Sequence, residues 1–396
     1  MRFLALDSWR GVCAVLITLY HLPVLFHFSG SDFMHGTYMA VDFFFVLSGF
    51  VITHSYFKKV NKISDLVGFI IRRVARLWPL HVFMLVMLIG YEFLLLGATK
   101  AGIDSPREIF DHRTSIEAIF SNVFFLHSMG LHDTNTWNLP SWSISVEFYT
   151  YMVFALMAVT VKKIWYAACI LVVGLSAAVL IYISQDNGMY IDWAYDFGFF
   201  RCVMGFFSGS IAYGIYMKIS RNGERKLQYA SLFEVLAVIL VAYFVTFQSK
   251  TALNMLAPSV FAFTIIIFAY EGGALSQLMK IKPINVLGKW SYSIYLTHFL
   301  LIQIVMSFIV VFEKVFKINL KQEIMFFGDA KFVVDFGNMA FNDLLALGYL
   351  VVTLGVSALT YKYIELKGQK WINGFAAKKQ KLKLCLRNSA ITKCHV

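Results

Sequence analysis

The N-terminal apolar segment carries ionisable side chains of the kind that support proton transfer. Asp7, Arg10 and His21 interrupt an otherwise hydrophobic run. Arg10 and His21 are eleven residues apart, so on a helix of about 3.6 residues per turn they share a face and lie roughly 15–18 Å from each other along the axis. An imidazole titrates near neutral pH and can accept and return a hydroxyl proton. His21 is therefore a candidate catalytic base; the alternative is a structural hydrogen bond to a neighbouring helix.

A second group of charges lies in the motif Arg72-Arg73-Val74-Ala75-Arg76. On a helix, Arg76 is one turn from both Arg72 and Arg73, so the three guanidiniums would converge beside an apolar run. Guanidinium binds phosphate oxygens in pairs and keeps its charge in any environment. The motif suits a donor that carries a pyrophosphate. The alternative is ordinary cytoplasmic loop charge in contact with anionic lipid.

Further polar residues lie inside apolar segments, where an unpaired charge is costly and therefore marks a functional candidate. These candidates are Asp42, Trp142, Ser145, Glu147, Tyr295 and His298. Asp42 could bind an acceptor hydroxyl or pair with another helix, and Glu147 could hold a sugar hydroxyl or orient a histidine. His298 is a second candidate base. Interhelical hydrogen bonding is the structural alternative for this group.

The composition indicates a membrane protein. Of the 396 residues, 59% are hydrophobic and 15% are charged, whereas soluble domains carry about 25% charged residues. The net charge of +12 could suggest a nucleic-acid partner. The lysines and arginines instead cluster in short loops beside apolar segments, so we expect no nucleic-acid partner. The five cysteines show neither a C-x-x-C pair nor metal-ligand spacing, and we expect no metal site.

Apolar segments must position these residues. A membrane-spanning helix needs about 20 mostly apolar residues. Ten segments qualify, at residues 9–27, 37–57, 77–97, 141–161, 164–183, 196–217, 229–247, 252–270, 286–312 and 343–364. The sequence predicts an all-α integral membrane bundle of about ten transmembrane helices. Residues 1–370 would form this domain, and residues 371–396 would be a basic cytoplasmic tail.

Loop charge sets the expected orientation. Lysines and arginines are frequent in the loops that become cytoplasmic if the N-terminus is inside, whereas the loops 28–36 and 184–195 contain none. This asymmetry predicts that both termini are cytoplasmic. The longer segment 98–140 would lie on the other side, with room for short interfacial helices or a lid over the acceptor. The first helix lacks a small-x-small cleavage site, so we interpret it as a retained helix and not as a signal peptide.

The order of the motifs along the chain is more specific than any one of them. They run from Leu6-Asp7-x-x-Arg10-Gly11 and His21 through Val41-Asp42-x-Phe44-Phe45-Val46-Leu47-Ser48-Gly49-Phe50, Arg72-Arg73-x-x-Arg76-x-x-Pro79 and Trp142-Ser-x-Ser145-x-Glu147 to Ser291-Tyr292-Ser293-x-Tyr295-Leu296-x-His298. This succession resembles the acyltransferase-3 family, bacterial membrane enzymes that mostly O-acetylate polysaccharides, lipid-linked glycans or related envelope molecules.

The resemblance implies roles for individual residues. It implies that His21 is catalytic and that Arg10 is the arginine of the first motif. It also implies that Arg73 and Arg76 hold the acyl-CoA donor at the cytoplasmic side of a bacterial cytoplasmic membrane. Two features depart from the family. Trp9 stands where leucine is common. Some members carry a C-terminal esterase-like domain where this sequence has a short basic tail, so we expect that a second transfer step would need another protein, such as a glycan-assembly partner, or would not occur.

The expected reaction moves an acyl group, most simply acetyl, from acyl-CoA to a glycan hydroxyl. Asp7 would fix Arg10, while Glu147 and Asp42 would contact the acceptor. His21 would either deprotonate the hydroxyl or carry the acyl group itself. The rival hypothesis is a transporter of a lipid-linked glycan or small metabolite, with the same charges lining a path. A structural partner of a glycan polymerase is a third possibility, which would leave the His21 and arginine pattern unexplained.

Overall fold

The computed structural model describes residues 2–103, 105, 107–185, 188–220, 227–326 and 329–375. Over these ranges the chain is mostly helical, and a single two-stranded hairpin is the one sheet. The elements are α1 (Leu4–Tyr20), α2 (Asp32–Gly36), α3 (Ala40–Tyr56), α4 (Ile63–Lys100), α5 (Glu117–Val123), α6 (Trp142–Thr160), α7 (Trp165–Ile183), α8 (Gly198–Ser220), α9 (Ala230–Gln248), α10 (Ala257–Ala269), α11 (Ala274–Met279), α12 (Lys282–Phe316), β1 (Lys321–Phe326), β2 (Asp329–Val334) and α13 (Met339–Thr360). A π-helical turn, Tyr361–Glu365, continues α13, and the helix extends to residue 375.

The prediction of an all-α, multi-pass membrane protein is confirmed. Within the described residues, nine helices are long and apolar enough to cross a membrane. α1 is not one of these nine helices. It has 17 residues, which is the lower limit of the range of about 17–25 for a span. A count of ten therefore depends on α1. Residues 376–396, most of the predicted basic tail, lie outside the described residues.

The predicted boundaries of the first span, 9–27, are wrong, since α1 begins at Leu4 and ends at Tyr20. Pro23 disfavours a helical conformation at the residue before it, which ends the helix. The next residues instead pair with the hairpin: Val334 N donates to Pro23 O at 2.9 Å, and Leu25 N donates to Val334 O at 2.9 Å. His21 is consequently the C-cap residue of α1.

The third predicted span, 77–97, is part of a much longer helix. α4 has 38 residues and begins at Ile63, where the Asp65 carboxylate accepts hydrogen bonds from Asn61 N at 3.0 Å and Lys62 N at 3.2 Å. Such capping satisfies amide groups that the first turn leaves unpaired. The arginine motif at 72–76, assigned to a loop by hydropathy, is therefore helical and has a fixed orientation.

Close helix contacts fix the centre of the bundle. A Cβ added at Gly11 of α1 would lie 2.5 Å from the backbone nitrogen of Gly288 on α12, and a Cβ at Gly288 would overlap the backbone of Asp7. Glycine allows two backbones to approach in this way. The contact holds α1 against α12, and it sets the relative position of the side chains that the two helices present.

The long segments outside the spans have structure of their own. α5 is a short helix in the segment 98–140, as predicted. β1 and β2 form an antiparallel hairpin in the segment 313–342, which the sequence does not predict. The hairpin contacts the chain immediately after α1, so it supports the end of α1 that carries His21.

Candidate active site

Two cavities collect most of the candidate residues. The arginine cavity has a volume of about 140 Å³, and its lining includes Arg10, Ser48, Arg73, Arg76, Glu147, Tyr151, Ser291, Tyr292 and Tyr295. The histidine cavity has a volume of about 170 Å³, and its lining includes Tyr20, His21, Tyr38, Trp142, Asp192, Arg201 and Tyr295. Val41 and Tyr295 line both cavities. The cavities therefore adjoin at these two residues, with Arg10 in one and His21 in the other.

Arg73 is oriented by aromatic side chains. Its Nη2 donates a hydrogen bond of 3.0 Å to the hydroxyl of Tyr56. The guanidinium lies 5.0 Å from the ring centroid of Tyr56 and 5.6 Å from those of Phe69 and Tyr151. Its Nε is buried and has no hydrogen-bond partner among the described residues. Since a buried N–H without a partner is costly, this arrangement suits an anionic ligand in the cavity.

The other two arginines of the motif differ from each other. Arg76 lines the arginine cavity and forms an ion pair with Glu365, whose side chain is 1% exposed. Arg72 is exposed and is not among the residues that line the cavity. Its guanidinium lies 5.4 Å from the ring centroid of Tyr56. The structure thus brings Arg73 and Arg76 to the site but leaves Arg72 outside it.

Glu147 occupies a different place from the one expected for an acceptor-binding residue. It lines the cavity with the arginines, and its Oε1 accepts a hydrogen bond of 2.7 Å from the Tyr151 hydroxyl. Tyr151 in turn lies 3.0 Å from the Ser48 hydroxyl. The expectation that Glu147 contacts an acceptor on the far side is corrected, because its carboxylate lies in the arginine cavity.

His21 and His298 are brought together across the interface of α1 and α12. Nδ1 of His21 lies 2.9 Å from the Ile17 carbonyl oxygen and 3.3 Å from Nε2 of His298. Nδ1 of His298 lies 3.2 Å from the Ile294 carbonyl oxygen. A carbonyl only accepts, so each Nδ1 carries a proton in the neutral tautomer. His21 then has its lone pair on Nε2, the nitrogen that can act as a base.

Tyr295 forms the junction between the two cavities. Its hydroxyl donates to the Pro140 carbonyl oxygen at 2.8 Å and lies 2.8 Å from the hydroxyl of Ser143. Both partners lie at the start of α6, so the phenol is held in place between α6 and α12. Its ring centroid lies 6.0 Å from that of His298. Tyr295 is thus held in a fixed position, with its side chain in the lining of both cavities.

Asp42 forms a buried ion pair and is not among the residues that line the arginine cavity or the histidine cavity. Its oxygens accept from Arg201 Nε at 2.9 Å and from Nη2 at 2.7 Å, and both side chains are at most 1% exposed. The same guanidinium reaches Asp192 at 3.2 Å and lies 5.5 Å and 5.3 Å from the ring centroids of Tyr38 and Trp142. The expectation that Asp42 contacts an acceptor is therefore wrong. Its alternative, pairing with another helix, describes the structure.

Two further candidates have structural contacts. Arg2 Nε donates to the Asp7 carboxylate at 2.6 Å, so Asp7 pairs with Arg2 where a pairing with Arg10 was expected. The Ser145 hydroxyl donates to the Phe125 carbonyl and accepts from Ser128 N at 3.3 Å, which anchors the segment before α6.

Sequence reasoning missed Arg201, Asp192, Tyr38 and Glu365. Arg201 had a usable signal, because it is the one basic residue in the apolar segment 196–217. Asp192 and Tyr38 lie in or beside loops, where polar residues are ordinary. Glu365 directly follows the last predicted span, so its burial depends on the helix continuing past the predicted end.

Comparisons with known proteins place the chain in a family. The family model described as an acyltransferase domain, acyltransferase-3, matches residues 3–362. The O-acetyltransferase OatA of Staphylococcus aureus is 24% identical over 328 residues, which are 77% of this chain and 51% of OatA. The chain thus spans about half the length of that relative. Protein 2 in the picA locus of Rhizobium radiobacter is 34% identical over 193 residues, 47% of this chain and 96% of that protein. No solved structure matches.

Since the family model covers nearly the whole described chain, including both cavities, the chain belongs to the acyltransferase-3 family.

Proposed function

We propose that this protein is a membrane O-acyltransferase that takes an acetyl group from cytoplasmic acetyl-CoA and delivers it to a hydroxyl of a cell-envelope glycan, such as an O-antigen, capsule or exopolysaccharide. The observation that carries the proposal is the meeting of two cavities at Tyr295, one lined by arginines and the other by His21. One cavity has the chemistry to bind a phosphorylated donor, and the other has a base.

The donor would bind through its phosphates. Arg10, Arg73 and Arg76 line one cavity with Glu147 as the carboxylate among them, so the lining has a net positive charge. A pyrophosphate would accept the buried Nε proton of Arg73, which has no partner among the described residues. The apolar lining, which includes Val41, Phe44 and Leu47, suits the pantetheine arm that leads toward Tyr295.

The transfer would take place beside His21. Nε2 of His21 accepts the proton of the acceptor hydroxyl as its oxygen attacks the thioester carbonyl carbon. The new C–O bond forms, the C–S bond breaks, and the imidazolium returns the proton to the leaving thiolate. In the alternative order, Nε2 attacks the carbonyl carbon first, the C–S bond breaks and the CoA thiolate leaves. The acceptor hydroxyl then takes the acyl group from the imidazole, and its proton passes to the thiolate. Both orders give an O-acyl glycan and free CoA.

The acceptor would enter through the histidine cavity. Asp192, whose side chain is 54% exposed, lines this cavity with the Trp142 and Tyr38 rings. A carboxylate that accepts sugar hydroxyl protons beside aromatic faces is a common chemistry for holding carbohydrate. The hydroxyl to be acylated would lie between Asp192 and His21, both of which line the cavity.

The proposal includes an orientation in a bacterial cytoplasmic membrane. Both termini would be cytoplasmic, as the loop charges indicate. Arg10 and Arg73 lie in the N-terminal halves of α1 and α4, which would place the donor cavity toward the cytoplasm, where acetyl-CoA is made. His21 lies at the other end of α1 and would meet the acceptor from the outer side.

An experiment with inverted membrane vesicles tests the acetyl-CoA donor, the acyltransferase activity and the orientation of the protein in the membrane together. In vesicles from cells that express the protein, acetyl-labelled CoA should label glycan, and an excess of unlabelled CoA should suppress the labelling. Sealed right-side-out vesicles should incorporate label only after they are made permeable. If inverted vesicles take up no more label than vesicles without the protein, the enzymatic proposal fails and transport of a glycan or metabolite becomes the leading hypothesis.

A further inference from the structure

Glu365 lies behind the arginine cavity and beyond residue 362, at which the family match ends. Its Oε1 forms an ion pair with Arg76, and its Oε2 accepts a hydrogen bond of 2.9 Å from the Ser293 hydroxyl. The Glu365 side chain is 1% exposed, whereas that of Arg76 is 26% exposed. The pair therefore has a buried end at Glu365 and an accessible end at Arg76, which faces the cavity.

The continuation of α13 is distorted at Glu365. The residue closes the π-helical turn Tyr361–Glu365, and a π turn adds about one residue, which rotates the helix that follows by roughly 100°. Three residues later Gly368 packs directly on Pro79 of α4, since a Cβ at Gly368 would overlap the proline ring. Arg76 precedes Pro79 by the same three residues. The two helices thus touch at two positions, the ion pair between Arg76 and Glu365 and the contact between Pro79 and Gly368.

We infer that Glu365 is a positioning residue of the donor site: it holds the Arg76 guanidinium so that its remaining N–H groups face the cavity and bind the phosphates of acyl-CoA. This inference rests on the proposed function. An arginine side chain has several rotatable bonds, and fixing it before the ligand arrives removes part of the entropy cost of binding. The Tyr292 ring, 5.4 Å from the guanidinium, supports the same orientation.

The direction in which acyl-CoA affinity changes distinguishes a positioning role of Glu365 from the effect of its charge alone. A carboxylate near a phosphate site repels the phosphate, so its removal alone would strengthen acyl-CoA binding. Loss of a positioning contact weakens binding instead. In Glu365→Ala we therefore expect the KM for acetyl-CoA to rise about tenfold while kcat stays within about twofold of wild type. Glu365→Gln keeps an oxygen that Arg76 can donate to, so its KM should lie between those of wild type and Glu365→Ala.

A second ion pair on α4 provides a matched control. Glu92 is 1% exposed and pairs with Arg107, whose side chain is 24% exposed. Neither residue lines the arginine cavity or the histidine cavity. Glu92→Ala should lower the unfolding temperature about as much as Glu365→Ala does, because each leaves an arginine without its buried partner. It should leave the KM for acetyl-CoA unchanged.

A double variant tests whether Glu365 acts through Arg76. Arg76→Ala alone leaves Glu365 as an unpaired buried charge, so the protein should lose thermal stability as well as CoA affinity. Adding Glu365→Ala should recover the stability but not the wild-type affinity, and the KM should be no higher than that of Arg76→Ala. The purified full-length protein in detergent serves for each measurement, with CoA itself as the binding probe.

The outcomes distinguish a failure of the proposed function from a failure of the positioning role of Glu365. If wild-type protein does not bind CoA, the proposed function fails. If wild type binds CoA and Glu365→Ala has an unchanged or lower KM, or if the effect of Glu365→Ala adds fully to that of Arg76→Ala, the positioning role is wrong while the proposed function stands. If Glu365→Ala does not fold, the Glu365→Gln variant gives the same test with the same signs.

Discussion

Nδ1 of His21 lies 3.3 Å from Nε2 of His298, across the interface of α1 and α12. Because Nδ1 of His298 faces the Ile294 carbonyl oxygen at 3.2 Å, Nε2 of His298 is the nitrogen that accepts. His298 thus favours the His21 tautomer with a proton on Nδ1 and a lone pair on Nε2. The two helices that bring the rings together are joined by the Gly11–Gly288 contact.

His298→Ala should therefore reduce kcat by roughly 10²-fold, the scale of general base catalysis, with little change in the KM for acetyl-CoA. His298→Gln offers an amide oxygen to the same proton and should retain more activity than the alanine variant. The measurement is initial-rate kinetics of acetyl transfer at matched protein abundance. Wild-type kcat in His298→Ala would show that His298 has no part in setting the tautomer.

Arg73 and Arg72 are adjacent in the sequence, but we expect their substitution to have different effects on the binding of acetyl-CoA. Arg73 lines the arginine cavity and has a buried Nε without a partner among the described residues. Arg72 is exposed and outside the cavity lining. Arg73→Ala should raise the KM for acetyl-CoA by roughly tenfold or more, since it removes a charge-assisted contact with phosphate.

Arg72→Ala removes the same charge from the adjacent position and should change that KM by less than about twofold, because an exposed charge is screened by salt. CoA binding and transfer kinetics on both variants decide the point. Equal effects of the two substitutions would mean that the motif acts through its overall positive charge and not through a defined site.

Asp42 should prove essential for stability. Its partner Arg201 has a side chain that is 1% exposed, so Asp42→Asn would leave a buried guanidinium with part of its charge unpaired. Removal of one partner from a buried pair costs about 3–5 kcal/mol. We expect a large fall in unfolding temperature and in membrane abundance, measured by thermal unfolding in detergent. A variant as stable as wild type would contradict the assignment of Asp42 as a structural residue.

The Gly11–Gly288 contact should be needed for activity. A Cβ at Gly288 would lie 3.0 Å from Ser8 N and closer to the Asp7 backbone, so Gly288→Ala must move α1 away from α12. Misplacement of catalytic groups by about 1 Å can cost as much as 10²-fold in rate. The expected result is a loss of kcat with the protein still folded.

Gly90→Ala on α4 is the control for this variant, because an added Cβ there has no neighbour within 4 Å among the described residues. It should leave kcat unchanged. Full activity in Gly288→Ala would show that the distance between His21 and His298 tolerates a shift of the helices.

Residue type alone made several candidates visible in the sequence. Ionisable side chains are conspicuous in apolar segments, so His21, Arg10 and His298 stood out, and Arg73 stood out within a cluster of arginines beside such a segment. The segments themselves follow from hydropathy, except at their ends. The end of α1 depends on Pro23 and on pairing with a hairpin more than 300 residues further along the chain, which no local pattern shows.

Partnerships across long sequence separations could not be predicted. Asp42 and Arg201 are separated by 159 residues, and Arg76 and Glu365 by 289. Each of these residues has a plausible functional interpretation alone, and only the fold shows which of them carries a structural contact. Glu147 is a further example, because its motif predicts the helix face that carries the carboxylate but not the cavity toward which that face turns.

The most direct test of the account is transfer of label from acetyl-CoA to glycan by wild-type protein and by His21→Ala, in inverted vesicles at matched abundance. The arginine cavity does not include His21, so the variant should bind CoA with wild-type affinity yet transfer no label above the background of vesicles without the protein. Transfer at the wild-type rate by a folded His21→Ala protein would contradict the central claim that this imidazole performs the reaction.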